Sequence, residues 1–595
     1  MSATLTSHRI AALREQMQFQ SLDASVWLSA DPHLSEYLPE RWQLRVWLSG
    51  FTGSAGSLVV TQDSAALWTD SRYWEQAESQ LQGTGITLMR AGAPDVPEPS
   101  VWLRKQVPAG SRVALDGRML AMQAWEQWRQ GESELQWVMD ADLISPIWAD
   151  RPGDPFKAVY EHVPPHACRN RVDNLSALRA QMSKAQADWH LISSLDDIAF
   201  LLNLRGSDVS YNPVFLSFLL VSQDQAHLFV APGQISSELT QILLATGVEV
   251  QAYSDLPAFL QALPAGLSIL LDPARTTVDS ARKLKHLNVL EQLNPSQLMK
   301  ACKTSAELDN VRAVMEQDGA ALCEFFAWLD AVQGQVPISE LTIDEQITAA
   351  RARRPGFVSP SFSTIAAYQA HGAMPHYQAS PQSHAQIVGD GLLLIDSGGQ
   401  YLGGTTDITR MVPIGSLSAA QKRDCTVVLQ GMIAMSQAVF PMGVSGAHLD
   451  VLARQPLWRQ GLDYGHGTGH GVGYFMNVHE GPQSLSWRAR PSAHTVLRPG
   501  MITSNEPGLY RQGQWGVRIE NLLACIPGPE TEFGSFLQFE SLTLCPIDTR
   551  CIDASLLLAT ERDWLNQYHA QVRERLRPLL DGKALEWLLE RTAAI

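Results

Sequence analysis

Four short segments between residues 392 and 521 carry the side chains best suited to chemistry. The first, residues 392–412, reads LLLIDSGGQYLGGTTDITRMV: an apolar run ending at Asp396, a glycine-rich turn, then a second strand carrying Asp407. Alternation along that strand puts Thr405, Asp407 and Thr409 on one face. A hairpin there brings two carboxylates together, and they repel unless a cation compensates. The second segment, residues 464–482, reads YGHGTGHGVGYFMNVHEGP and holds His466, His470 and His479 among alternating glycines. The spacing of His466 and His470 is that of the zinc helix H-E-x-x-H, but position 467 is Gly, and alternating glycines make a poor helix. An extended backbone, closely approached by substrate or metal, is expected instead. The remaining segments are Asn505-Glu506-Pro507-Gly508 and Arg518-Ile519-Glu520-Asn521. Proline holds Glu506 extended ahead of a Pro-Gly turn, and Arg518 and Glu520 share a face of the following strand. That makes a second hairpin with a carboxylate on each arm.

Taken singly, these residues say little. An Asp after an apolar strand is usually a turn or cap residue, a lone His a core or surface residue, and an Arg a solvated charge. Together, four carboxylates balance the charge of two divalent cations, and a neutral imidazole adds a ligand without adding charge. Oxygen-rich ligation of this kind suits Mn²⁺ better than structural Zn²⁺, and charge neutrality leaves room for a bridging hydroxide.

The order Asp396, Asp407, His470, Glu506, Glu520 resembles the five-ligand set of the pita-bread metallopeptidases, which include methionine aminopeptidase, prolidase and Xaa-Pro aminopeptidase. DSGGQYLGGTTDITR, HGTGHGVGYFMNVHEGP and NEPGLY…GVRIEN are most similar to the long, three-domain Xaa-Pro aminopeptidases. The resemblance implies that Asp396 chelates one metal, that Asp407 and Glu520 bridge both, and that His470 and Glu506 complete the second. It also implies that His376, in GAMPHY, together with His466 and His479, contacts substrate or the tetrahedral intermediate. Glu506 is the candidate for carrying a proton to the leaving nitrogen. The stretch before His376, AAYQAHGAMPHY, departs from the family pattern in lacking Ser-Gly and Asn. The implied activity is release of the N-terminal residue from short peptides with proline second, by a hydroxide shared between two metal ions. A prolidase acting on X-Pro dipeptides and a non-catalytic scaffold of the same fold are the alternatives. All five ligand positions are filled here, which speaks against the scaffold. There is no P-loop and no G-x-S-x-G elbow.

The elements that must position these residues are also readable. ALREQM at 12–17 recurs as ALRAQM at 177–182, and LVVTQDSAALW at 58–68 recurs as LLVSQDQAHLF at 219–229. Two matches in the same order indicate two copies of one α/β unit, each with a helix and a strand–turn–strand turning at Gln-Asp. Such a pair agrees with the two mutually similar N-terminal domains of the resembled family. The expected fold is therefore α/β (α+β): two duplicated creatinase-like domains, 1–150 and 151–303, then a pita-bread catalytic domain, 304–595. A proline-rich stretch, 147–165, separates the copies. Thr304-Ser-Ala-Glu307 reads as a capping box opening a long helix, and the tail from Glu561 to Glu590 is helical with a break at Pro578.

Bulk properties exclude other classes. A chain of 595 residues is too long for one core. A net charge of −16 argues against nucleic-acid and anionic-membrane partners. Seven scattered cysteines with no C-x-x-C pair point to a reducing compartment, and Cys425 and Cys525 to core thiols. With no signal-peptide pattern at the N-terminus and no long apolar run, a cytoplasmic protein is expected. A homodimer is implied by resemblance alone.

Overall fold

A computed structural model of the chain describes residues 3–131 and 134–595. These fall into two compact units, one of residues up to Val163 with Arg169–Ser296, the other of Pro164–Cys168 with Gln297–Ile595.

The first unit contains the duplicated α/β motif. Each copy builds a six-stranded mixed sheet of the same order, its central hairpin being Ser57–Thr61 with Ala65–Thr69 in one and Ser217–Ser222 with Ala226–Val230 in the other. The Gln62-Asp63 and Gln223-Asp224 pairs stand at the two turns, as the repeat predicts. The matched helices are Ala3–Phe19 and Arg171–Lys184. Both faces of the first central strand are covered: Leu58 and Val60 pack with Leu13 and Met17, whereas Val59 packs with Leu103 and Val113. That coverage explains why these strands read as continuous apolar runs rather than alternating ones.

In the second unit the long helix Ser305–Val332 has its capping box formed as expected: Thr304 and Glu307 exchange side-chain-to-backbone bonds. Behind it, strands Ile365–Tyr368, Gly391–Ser397 and Ile408–Ile414 make an antiparallel sheet in which Asp396 stands between Ile365 and Thr409. A second sheet runs Val439–Pro441, Gly534–Ser541, Asn521–Thr531, Ile502–Asn505. Two long helices, Ala419–Ser436 and Gly446–Trp458, contribute Val428, Met432 and Leu457 to the core. The tail folds as Ala559–Leu576, a 3₁₀ turn at Pro578, and Gly582–Arg591. The seven cysteines form no disulfide, and Cys425 and Cys525 are buried. Among the described residues no helix is long and apolar enough to cross a membrane.

Gly319 shows how tightly this unit closes. A Cβ there would stand 2.0 Å from the Leu544 carbonyl oxygen and 3.1 Å from Leu576 Cδ1. Alanine is the better helix former by about 1 kcal/mol, but backbone cannot yield to the added methyl, and overpacking of this kind costs about 1–3 kcal/mol. Gly319→Ala is expected to lower the denaturant midpoint of unfolding; a raised midpoint would contradict the packing described.

Candidate metal centre

The two hairpins carry the acidic residues: Asp396 lies within the strand Gly391–Ser397, whereas Asp407, Glu506 and Glu520 lie at interruptions of theirs. Asp407 is not on the second strand, as expected, but in the gap between Gly404–Thr405 and Ile408–Ile414. The cause is the glycine-rich turn, which folds back on itself: Thr406 N donates to Gly399 O at 2.8 Å and Ser361 Oγ to Thr406 O at 2.8 Å. Nor does Pro507-Gly508 make the turn of the other hairpin. The chain reverses at residues 512–514, where Gly513 has φ +69. Asn505 pairs with Asn521 and Gly508 with Arg518, so Glu506 and Glu520 face each other across a break in one long ladder. Proline has no N–H to give that ladder, which is why pairing lapses there.

The imidazole segment is extended, with Gly469–His470 paired to Ser484–Leu485. Its glycines serve a different purpose from the expected approach of substrate or metal. A Cβ on Gly469 would meet Ser504 O at 1.9 Å, and one on Gly471 would meet Glu480 O at 1.9 Å. They let backbone lie directly on backbone.

These elements converge. Asp407, His470 and Glu520 each offer a ligand atom within 4.8 Å of the others. His470 Nε2 lies 3.5 Å from Asp407 Oδ2 and 3.4 Å from Glu506 Oε1. Asp396 accepts from Arg518 at 2.6 Å, and the same guanidinium reaches Thr409 Oγ1 at 3.2 Å and stands 4.0 Å from Glu506. Thr409 Oγ1 donates in turn to Glu520 Oε2 at 2.7 Å. His479 stacks edge-on against His470 with ring centres 4.3 Å apart. His466 takes the Tyr510 hydroxyl at Nε2, 2.8 Å away, and Tyr510 accepts from Arg518 at 2.8 Å. Because Arg518 can only donate, the phenol proton points to His466, whose other nitrogen gives its proton to Gly467 O at 2.7 Å.

His376 is half-buried, on the loop after the 3₁₀ turn Gln369–Ala373. Glu340, fully buried, ties that loop by accepting from Tyr368 N, His371 Nδ1, Tyr377 Oη and Ala385 N at 2.6–2.9 Å. His371 thus fills a structural part in the stretch that departs from the family pattern. Sequence reading missed Glu340 and Tyr510. Tyr510 stands inside the quoted NEPGLY, but nothing in the sequence tied it to Arg518.

Electrostatics define what the site needs. Burial, then Asp396 and Glu506, push the Asp407 carboxyl far above its usual range. Burial, then Asp407, does the same to Glu520. Glu506 rises from 4.5 to about 7, mainly through burial and in spite of Arg518. Arg518 is held firmly charged by Tyr510 and the carboxylates although burial opposes it. Asp396 Oδ1 and Glu520 Oε1 are buried and have no hydrogen-bond partner. His470 Nδ1 lies 3.0 Å from Gly471 O, a contact that uses the Nδ1 proton and leaves the Nε2 lone pair facing carboxylates. Orphaned anionic oxygens and a lone pair aimed into one space are what divalent cations satisfy. The donor set fits two of them.

A sheet-borne cluster of this composition defines a metal-dependent hydrolase. Comparison with known proteins agrees. The pattern of metallopeptidase family M24 matches residues 309–526 and that of its C-terminal region 535–595, while two creatinase/prolidase N-terminal domain patterns match 9–144 and 150–307. The chain is 41% identical to aminopeptidase P2 of Arabidopsis thaliana, over 96% of this chain and 86% of that one. It is 38% identical to a probable Xaa-Pro aminopeptidase P of Sordaria macrospora, over 99% of each. Its fold superposes on the X-prolyl aminopeptidase of Caenorhabditis elegans, described as a cytosolic enzyme with a di-nuclear active site, with TM-score 0.93, 32% identity and full coverage of both chains. The chain belongs to metallopeptidase family M24, among its long members with creatinase-type N-terminal domains.

Carboxyls whose proton affinity is raised on folding destabilise the metal-free protein once they must ionise. That penalty is absent below the unfolded value, near 4.5 for Glu506, and grows until pH passes about 7. Metal-free protein is therefore expected to lose stability, on the order of a few kcal/mol, between pH 5 and pH 8. Thermal melts should show the slope diminished in Glu506→Gln and in metal-loaded protein. A metal-free melting temperature that rises across this range and is unaltered by Glu506→Gln would contradict the site's electrostatics.

Proposed function

We propose that the chain is an Xaa-Pro aminopeptidase, releasing the first residue of short peptides whose second residue is proline. The observation that carries this reading is the convergence of Asp407, His470 and Glu520 with Glu506 and Asp396, joined to full-length similarity with relatives named Xaa-Pro aminopeptidase. Asp396, Asp407, His470, Glu506 and Glu520 are the ligands of two divalent ions, Mn²⁺ by donor type. When bound, the ions supply Lewis acidity and water activated near neutral pH.

The protein's own groups do the rest. Glu506 is the most exposed of the four carboxylates, its side chain 18% accessible against 10% for Asp396 and 6% for Asp407. It is the one able to pass a proton to the proline nitrogen as the bond breaks. His376 or His479 donates to the oxyanion that develops on the scissile carbonyl. His466, locked by Tyr510 and Gly467, presents a ring face to the proline. An X-Pro amide has no N–H, so a shaped apolar pocket must replace a hydrogen-bond acceptor there.

The three-part division at 150 and 303 belongs to the same reading, as do a homodimer, a cytoplasmic location and the lack of a nucleic-acid or membrane partner. Supporting the location are cysteines that form no disulfide and the cytosolic nematode relative; supporting the last is the charge of −16.

Manganese-loaded protein is expected to cleave X-Pro-Y tripeptides, and Asp407→Ala to reduce kcat by more than about a hundredfold, beyond what loss of an outer partner costs. Liquid chromatography of a peptide panel reads both. Cleavage of X-Pro dipeptides alone would make the protein a prolidase instead, and no hydrolysis despite bound metal would make it a scaffold.

A further inference from the structure

The loop that carries His470 and His479 is fastened at two levels. At its tip, Gln400 Nε2 donates to Met476 O at 2.6 Å and Met476 N to Thr405 Oγ1 at 3.1 Å. At its base the arms are paired, Glu480 N to Gly471 O at 2.7 Å and Gly471 N to Gln483 O at 3.2 Å. One lysine then joins both arms. Lys303 Nζ donates to Val472 O at 2.6 Å on the outgoing arm and to Glu480 Oε1 at 2.6 Å on the returning arm. Lys300 Nζ stands 3.9 Å from the other Glu480 oxygen. The Lys303 and Glu480 side chains are 0% and 1% exposed. The lysine backbone is fixed too, donating at 3.0 Å to the carbonyl of Gly500.

This pair stands apart from the five ligands and the three accessory histidines. By sequence, Lys303 lies before the M24 match at 309–526, inside the stretch matched by an N-terminal domain pattern. In space it belongs to the unit that holds the metal centre. Apolar side chains of equal volume can hold a core as well as a buried ion pair does. What the pair adds is direction, with short donors from one atom fixing two arms. Glu480 directly follows His479, whose ring meets His470 edge-on.

We infer that Lys303, through Glu480, is a positioning residue that sets His479 against His470 and so belongs to the catalytic apparatus of the metallopeptidase unit. This rests on the role proposed above for His479, and the test separates the two. Full-length Lys303→Met, the charge-balanced Lys303→Met/Glu480→Gln, His479→Ala and the combined triple variant would be compared with the parent. Amide exchange is measured on metal-free protein, and peptide kinetics with manganese.

The balanced double variant is expected to melt cooperatively and to exchange faster in residues 471–483 than elsewhere. Its kcat on an X-Pro-Y tripeptide should fall at least tenfold, with KM within threefold of the parent. Adding the pair of substitutions to His479→Ala should cost no more than a further twofold, because both act through one imidazole. Unchanged exchange in 471–483, kcat within twofold of the parent, or a fully multiplicative loss in the triple variant would each overturn the inference. So would failure of both lysine variants to fold, which would make the pair a requirement of the core. If His479→Ala alone leaves kcat unchanged, the histidine's proposed role fails, while the exchange pattern still judges the clamp.

Discussion

Four carboxylates gathered where water is scarce repel one another, and in this protein they do so beside the Arg518 guanidinium. Burial and mutual repulsion together raise the proton affinities of Asp407, Glu506 and Glu520. Arg518 neutralises part of the excess through Asp396, but its reach leaves Asp396 Oδ1 and Glu520 Oε1 without partners. Such an arrangement is costly unless cations enter it. Most of what surrounds the site serves to keep these groups together against that repulsion.

Several devices share the task. Arg410 donates its hydrogen bonds to oxygens of neutral groups. It joins Thr409 O and Glu520 O at 3.0 and 2.6 Å to Cys545 O and the Tyr568 hydroxyl at 2.8 and 2.9 Å, so the tail helix braces both carboxylate-bearing strands. Gly469 lets the His470 strand rest on Ser504, whose hydroxyl accepts from His470 N and donates to Glu506. Placing Glu506 and Glu520 at a lapse in the ladder frees them from strand alternation, and proline at 507 enforces the lapse.

Much of this was legible in the residues. The five candidate ligands could be singled out because they sit in short, glycine- and proline-marked segments whose spacing has few other uses. The duplicated N-terminal sheets could be read because ALREQM/ALRAQM and the Gln-Asp turns preserve their order. Alternation alone places Asp407 and Glu520 within strands because it assumes an unbroken ladder, whereas Thr406 folding onto Gly399 and Pro507 interrupt it. The purpose of the glycines in the imidazole segment is hidden from the sequence for a related reason: what lies against Gly469 and Gly471, Ser504 O and Glu480 O, comes from elsewhere in the unit. Glu340, Arg410 and Lys303 left no local signal. A buried Lys, Arg or Glu looks like a solvated one until the fold reveals its partners.

If the carboxylate cluster exists to hold two cations, anomalous diffraction from manganese-soaked crystals will locate them. Two peaks are predicted, both touching Asp407 and Glu520, one also touching Asp396 and the other His470 and Glu506. A single peak, or density away from these residues with the cluster left empty, would contradict it.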